Sequence, residues 1–408
     1  MIAVVGGGAA GLMAAVSAAE SGAKTVLIEK NKILGKKLRI TGKGRCNITN
    51  ACPTQELFEN IPKNPKFLYS AIYNFTNYDV IDFFEKLGVK TKVERGMRVF
   101  PESDKAADVV RALENAVKKS GVSVITANAE GIITKNNSLA GIKTDKGIIK
   151  CSAAVIATGG KSYPKTGSDG SGYDIIRRAG HSITPLTPSL VPMETLEDTM
   201  PLMGLSLKNV KISVCKQSGE TVYTDFGEML FTHYGLTGPT VLSSSCHISR
   251  CTGGAVIKID LKPALSANEL DARILRDFKK YCNRNFENSL SDLLPQKMIG
   301  YIVSRSGIDP YKKVNCITHT ERVRLGAVIK NLEFHVKRLR SIDEAIITSG
   351  GVNVREINAS TMESKIVSGL FFAGEIIDTD AYTGGFNLQI AFSTGRLAGK
   401  KAAEREEL

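Results

Sequence analysis

Near its start the chain reads IAVVGGGAAGLMAAVSAAESGAKTVLIEK, with Gly6, Gly8 and Gly11 in the spacing G-x-G-x-x-G and an acid, Glu29, behind a second apolar run. Each residue type suits one task at a polyphosphate. Gly6 permits a tight turn, Gly8 lets backbone approach a pyrophosphate, and Gly11 lets a helix pack closely on a strand. Ala9 and Ala10 open that helix, whose N-terminal N–H groups and dipole favour an anion. Glu29 can accept hydrogen bonds from a ribose diol. Together these residues point to dinucleotide binding.

A second segment, RITGKGRCNITN (39–50), sets Arg39, Lys43, Arg45, two glycines and Cys46 in a stretch with too little apolar surface for a core element. Between Lys24 and Arg45 eight basic residues face one acid, in a chain of net charge +13. A basic surface binds nucleic-acid backbones without reading their sequence. Here the excess sits beside the glycine motif and no aromatic stacking stretch accompanies it, so a bound pyrophosphate is the expected partner and no stable nucleic acid is.

These residues need a scaffold, and the chain of 408 residues, 42% of them hydrophobic, can bury one in two or three domains. No run of about 18 apolar residues suggests a membrane span, and the start lacks a charged signal-peptide n-region; a cytoplasmic protein is expected. Eight cysteines lie at irregular spacings without C-x-x-C, and five histidines form no H-E-x-x-H pattern. They read as reduced thiols with no metal site.

The glycine motif sits in a strand (2–5), helix (about 10–21) and strand (25–28), with Gly22 as the helix stop. CSAAVIATGG (151–160) is a further apolar strand, and near the C-terminus a strand (370–373), Glu375, a glycine turn and an apolar helix follow one another. This triple arrangement resembles the glutathione-reductase-like FAD fold, in the subgroup that contains fumarate reductase. The resemblance implies an α/β, Rossmann-like FAD/NAD(P)-binding domain. Gly374 and Glu375 would then hold the ribitol and pyrophosphate region, with Ala157, Thr158 and Gly159 also at the cofactor and Ala129 facing the adenine. Gly385, Phe386, Asn387 and Leu388 would present backbone N–H groups to the pyrimidine end of the flavin. In the cationic loop, Thr41, Gly42, Gly44 and Arg45 are assigned to the pyrophosphate and ribityl chain, Cys46 and Asn47 to the ring side, and Lys30, Lys37 and Arg39 to the cofactor as cations. Histidine is absent near these motifs, so the FAD is expected to be noncovalent.

The blocks GKGRCNITN, RVFPESDKAADVV, FTHYGLTGP, TSGGV, TMESK and GLFFAGEIIDTDAYTGGFNLQIAFSTG resemble, in order and over nearly the whole chain, the BaiN-like flavoproteins, a family with bile-acid dehydro-intermediate reductases and aminoacetone oxidases. Lys43 stands where many relatives are expected to have glycine. The resemblance implies an FAD-dependent reductase of an activated C=C bond in a hydrophobic, enone or steroid-like small molecule. Alternatives are an amine oxidase of the aminoacetone type that makes hydrogen peroxide, and a flavin-containing RNA-associated protein. No second G-x-G-x-x-G follows a strand, so NAD(P)H as electron donor would dock only transiently over the flavin, or electrons would arrive from another reductant.

SDKAADVVRALENAVKKSG (103–121) reads as a crossover helix and VSVITANAEGII as the strand after it. From about residue 187 alternating segments read as antiparallel strands, with two helices over about 266–304. The expected organisation is an FAD domain over 1–186 and 346–408 with an inserted β-rich and helical substrate domain over 187–345, the substrate cleft lying against the flavin. His233 and Tyr234, in FTHYGLTGP, and Tyr382, before the glycine turn, are the candidates for proton donation or substrate binding. Arg322 and Arg324 could hold a substrate carboxylate.

Overall fold

The computed structural model describes residues 1–248, 251 and 253–406. The chain forms two compact units, Met1–Ser189 with Ile342–Leu408, and Leu190–Ser341.

The first unit is built on a parallel sheet. Strands β1 (Ile2–Val5), β2 (Thr25–Glu29), β3 (Ser123–Thr126), β4 (Ala153–Ile156) and β5 (Leu370–Phe372) lie in the order β5-β4-β1-β2-β3. β1 pairs in register with β2 and β4, Ile2 opposite both Thr25 and Ala153. Its four residues are all buried, as the unbroken apolar run of a central parallel strand requires.

Helix α1 (Ala9–Glu20) follows β1, helix α2 (Ala106–Lys119) leads to β3, and helix α3 (Phe386–Glu406) closes the unit. α1 and α3 cross almost backbone to backbone. A Cβ on Gly395 would lie 2.3 Å from the Ala10 carbonyl oxygen, and one on Gly399 would lie 2.2 Å from that of Ala14. The Ser17 hydroxyl donates to the Arg396 carbonyl at 2.8 Å across the same seam. This contact holds α3 against the first turns of α1, one of the helix starts that the sequence assigns to a cofactor.

VSVITANAEGII does not form one strand. It splits into β3 and a separate strand, Ala129–Lys135, in a three-stranded antiparallel sheet with Ser138–Thr144 and Gly147–Lys150. The Ala127 N–H is spent on the Glu29 carbonyl at 3.0 Å, and the Asn128 N–H on the Asp145 carboxylate at 2.9 Å. The chain therefore changes sheets at 127–128.

The second unit is a closed antiparallel barrel. Its six strands run Met193–Thr195, Gly235–Thr237, Thr221–Phe231, Ser206–Lys216, Ala255–Asp260 and Leu332–Leu339, and the last returns to the first. Met193, Ile212, Met229, Phe231, Ile257 and Phe334 are fully buried in its core; each such side chain is worth about 1.5–3 kcal/mol on burial.

Among the described residues, three longer helices accompany the barrel besides the short Pro239–Ser245: Ala267–Lys280, Gln296–Ser306 and His319–Lys330. The third lies beyond the helical stretch expected from sequence. Its start is a capping box, in which Thr318 accepts from the Glu321 N–H and Glu321 from the Thr318 N–H. Arg322 and Arg324 lie on this helix: Arg322 is paired with Asp271 at 2.6 Å and Arg324 donates to the Gly307 carbonyl. These two arginines are thus helix-face residues with protein partners.

Candidate functional site

The turn after β1 admits only glycine on its inner side. A Cβ on Gly6, whose φ is +106°, would lie 2.4 Å from the Ala157 carbonyl oxygen, and one on Gly11 would lie 1.8 Å from that of Gly6. A Cβ on Gly8 would meet nothing within 4 Å. The turn is closed toward the protein and open above Gly8. α1 then starts at Ala9 without a side-chain cap, which leaves its first N–H groups for a ligand.

Glu29 ends β2 and is buried. Its Oε2 accepts from the Gly7 N–H at 2.6 Å, and its Oε1 from the backbone N–H and Nδ2 of Asn31, both at 2.7 Å. The carboxylate thus ties β2 to the glycine turn. Gly7 and Asn31 were not singled out in the sequence; the residue inside the glycine motif and the one two places past the acid were the places to look.

Lys37 and Glu375, 338 residues apart, meet at 2.7 Å. Lys37 also donates to the Ser162 hydroxyl at 2.7 Å, and Glu375 Oε1 accepts from Ser162 at 3.0 Å and from the Thr348 N–H at 2.8 Å. Ser162 and Thr348 are further members that no local motif marked. Gly374 has φ +76°, and a Cβ there would lie 2.7 Å from that of Ala10, so the acid's turn abuts the start of α1.

The cationic loop is a short helix over Leu38–Gly44, broken where Gly42 and Lys43 take φ of +56° and +58°. The Thr41 hydroxyl donates to the Leu38 carbonyl at 2.7 Å, and Gly44 has φ +84°. Cys46 is fully buried, and burial pushes its thiol up to about 12. A thiol held so far from ionisation is a packing and hydrogen-bonding group, not a nucleophile. Arg45 has other work than phosphate: its guanidinium meets Glu94 at 2.8 Å and Asp104 at 3.0 Å and lies 3.9 Å from the Phe100 ring centroid.

Arg39 reaches Glu114 at 3.5 Å and Lys30 reaches Asp169 at 2.7 Å. Lys30, Lys37, Arg39 and Arg45, half of the eight cations seen in the sequence, are therefore matched by acids brought from elsewhere in the chain.

Four buried polar atoms here have no protein partner: Arg39 Nε, Asn47 Oδ1, Thr158 Oγ1 and Ser168 Oγ. Each such omission costs about 1–3 kcal/mol. Gly159, with φ +75°, brings its backbone against Ser168. An open glycine turn, a helix start without a cap and unmatched polar atoms fit a dinucleotide carrying a polar polyol chain.

At the other end, a Cβ on Gly385, whose φ is +102°, would lie 2.3 Å from the Thr49 carbonyl oxygen, and α3 starts at Phe386. Phe386 is buried and Leu388 half-buried. Asn387 spends its amide on the preceding loop, with Oδ1 accepting from the Ala381 N–H at 2.9 Å and Nδ2 donating to the Ala381 carbonyl at 2.7 Å. Tyr382 sits in that loop, its N–H donating to the Asn60 carbonyl at 2.9 Å. Ala129 is half-buried at the head of the antiparallel sheet, opposite Thr144.

His233 and Tyr234 lie in the second unit, in the tight turn between two barrel strands. Their rings meet edge to face at 4.9 Å, His233 is exposed, and the Arg340 guanidinium lies 4.8 Å from the Tyr234 ring centroid.

Residues 1–401 match the family described as HI0933-like protein Rossmann domain, and the chain belongs to that family, whose members are FAD-dependent oxidoreductases of Rossmann-type fold. Among its relatives, the 3-dehydro-bile acid delta(4,6)-reductase of Clostridium scindens is 29% identical over 99% of both chains. The ribosomal RNA dihydrouridine synthase of Escherichia coli is 28% identical over 96% of this chain and 95% of its own. In fold the chain is similar to 3-ketosteroid delta1-dehydrogenase from Sterolibacterium denitrificans, with TM-score 0.53, 12% identity and 99% of both chains covered. The E. coli quinol fumarate reductase subunit FrdA gives TM-score 0.52 at 18% identity, over all of this chain and 70% of that one.

Proposed function

We propose that this protein binds FAD noncovalently and reduces a C=C bond conjugated to a carbonyl group. One observation carries the reading: two full-length relatives named for very different acceptors, a bile acid and a uridine in ribosomal RNA, are both named for saturating such a bond. The shared part is the chemistry, so the reaction class transfers more safely than either substrate.

Bound FAD would supply the hydride to the β-carbon of the acceptor. The residues of this chain hold and orient. Gly6, Gly8, Gly11 and the start of α1 take the pyrophosphate, Glu29 a ribose diol, and Lys37 with Glu375 the polyol chain. Asn47, Thr158 and Ser168 gain the hydrogen bonds they lack. Asn387 keeps the 381–386 loop and the start of α3 in one arrangement, so that backbone N–H groups at Gly385–Leu388 can stabilise developing negative charge. Tyr382, in the loop that Asn387 holds, is the candidate hydrogen-bond donor to the carbonyl that becomes an enolate. The acceptor is a hydrophobic enone of steroid-like kind, and the electrons come from a nicotinamide nucleotide that docks transiently.

A second reading, favoured by the dihydrouridine synthase relatives, makes the acceptor a uridine within RNA. Anaerobic stopped-flow absorbance of the flavin decides. NADH or NADPH bleaches it, and an enone or an RNA transcript restores the colour faster than air. Reduction by a small amine with quick recovery in air and peroxide release would replace both readings with the aminoacetone-type oxidase. A purified protein that neither carries nor takes up FAD would end all three.

A further inference from the structure

Saturating a C=C bond consumes a proton as well as a hydride, and the loop before the glycine turn holds a buried acid for which the cofactor cradle has no use. Asp380 is 2% exposed. Its Oδ2 accepts from the Ser189 hydroxyl at 2.9 Å and its Oδ1 from the Ser349 hydroxyl at 3.2 Å. The Ser349 oxygen in turn accepts from the Lys63 ammonium at 3.5 Å. Lys63 is paired with Asp378 at 2.6 Å and has 35% of its side chain exposed.

Every donor in this row points inward: Lys63 N–H to Ser349 oxygen, Ser349 O–H to Asp380 carboxylate. The row is anchored on both sides. Lys63 and Asp380 form a backbone bridge, and Asn64 donates to the Asp378 carbonyl at 2.7 Å. Asn387 binds the segment just after Asp380 to the start of α3. Between the two acids the Thr379 hydroxyl is buried without a partner, an open hydrogen-bonding position beside the inner end of the row.

We propose that Lys63, Ser349 and Asp380 form a proton path from solvent to a sealed carboxyl beside the start of α3, and that this path replaces the proton consumed in each reductive cycle. In one transfer Lys63 gives a proton to the Ser349 oxygen, Ser349 gives its own hydroxyl proton to the Asp380 carboxylate, and Lys63 recovers a proton from water. Charge and atoms balance without any redox partner. Asp380 acts here as a proton reservoir and Ser349 as a positioning residue.

The charges around Asp380 suit such a role. Burial raises its pKa; the Ser189 hydrogen bond, the Lys63 charge and the Ser349 hydrogen bond lower it, and Asp378 raises it. A carboxyl raised in the folded state contributes stability that is present below its unfolded value and lost as pH rises through the folded one.

The inference rests on the proposed reductase reading, and its first test needs neither cofactor nor substrate. Infrared spectra of the full protein, recorded as pH is lowered, show a protonated-carboxyl band that vanishes in Asp380→Asn, and its shift after mixing into D2O reports proton exchange along the path. Ser349→Ala slows that exchange about tenfold or more with FAD retention unchanged, and Lys63→Arg, whose guanidinium does not give up a proton, slows it as well. In turnover, Ser349→Ala lowers kcat with KM unchanged and raises the solvent isotope effect. Absence of the band, or exchange in Ser349→Ala as fast as in the unaltered protein, overturns the path. Should the band and its exchange behave as stated while no unsaturated carbonyl compound reoxidises the flavin, the path stands and the reductase reading falls.

Discussion

The two units satisfy their polar groups in different ways. The barrel unit pairs its charges within itself: Glu194 with Arg338 at 2.8 Å and Arg340 at 2.7 Å, Lys312 with Glu321 at 2.8 Å, Lys330 with Asp260 at 2.6 Å. In the parallel-sheet unit Arg39, Asn47, Thr158, Ser168 and Thr379 each bury a polar atom without a protein partner. Buried polar groups are otherwise matched almost without exception. The sheet unit therefore carries a deficit that a polar ligand can remove.

The same contrast governs glycine. Gly395 sits where α3 touches α1, and a side chain there would strike the Ala10 backbone, which cannot move aside. Gly395→Val is expected to cost about 3 kcal/mol or more and to abolish FAD retention with it. Gly326 lies in a barrel-unit helix, with nothing within 4 Å of a Cβ. Gly326→Ala is expected to stabilise by about 0.5–1 kcal/mol. Urea midpoints of the two variants check both, and equal effects would dissolve the distinction.

Glu29→Ala removes the acceptor of three hydrogen bonds at the turn. At about 1.5–3 kcal/mol for bonds to a charged group, FAD affinity is expected to fall at least about tenfold. Fluorescence titration of the cofactor-free protein measures it, and unchanged affinity removes Glu29 from the site.

Acid should open the units in order. In the sheet unit His181 is 3% exposed, with Nδ1 3.0 Å from Glu356 and Nε2 2.9 Å from Ser364. Burial pushes its imidazole below the ordinary 6.5, with Glu356 pulling the other way. The unfolded chain then takes up a proton that the fold resists, so this stability is present above pH 6.5 and lost as pH falls below it. In the barrel unit Arg338 and Arg340 hold the Glu194 carboxyl down to about 2. Its contribution is present above the ordinary 4.5 and lost only as pH falls toward 2. The chain has no tryptophan, so peptide-resolved amide exchange is the suitable readout. Between about pH 7.5 and about pH 5.5, protection should fall in the sheet unit first, and His181→Gln should flatten that fall. Parallel loss in both units would contradict the ordering.

Legibility in the sequence followed the range of the interaction. The strand, glycine turn, helix and acid at the N-terminus are local, and periodicity with residue type was enough for the dinucleotide-binding unit, while the family was read from the resemblance of six sequence blocks. The third barrel-unit helix was equally local, and its T-x-x-E start went unread. What could not be read is what long-range pairing decides. Glu94, Asp104, Glu114, Asp169 and Glu375 answer Lys30, Lys37, Arg39 and Arg45 from far along the chain, and no window around residue 40 contains them. His181 with Ser364, and Lys63 with Ser349 and Asp380, were hidden for the same reason.

The smallest effect tests whether the sheet unit also stores strain for its ligand. Lys43 is exposed, with φ +58° and ψ +41° directly after Gly42 at φ +56°. A side chain in the left-handed region costs about 1 kcal/mol. Lys43→Gly relieves that cost but frees the unfolded chain, for a net gain of about 0.5 kcal/mol and about one degree in the cofactor-free melting temperature. A lower melting temperature would refute the strain account. FAD affinity separates the two uses of the residue. If Lys43 serves only the loop's shape, affinity stays as it was; if its ammonium meets phosphate, affinity falls severalfold and falls less as salt is added, because an exposed charge pair is screened within about 10 Å at 0.1 M salt. In the second case strain in the loop is retained for the charge it places, which is the same relation between deficit and ligand that the unpartnered polar atoms express.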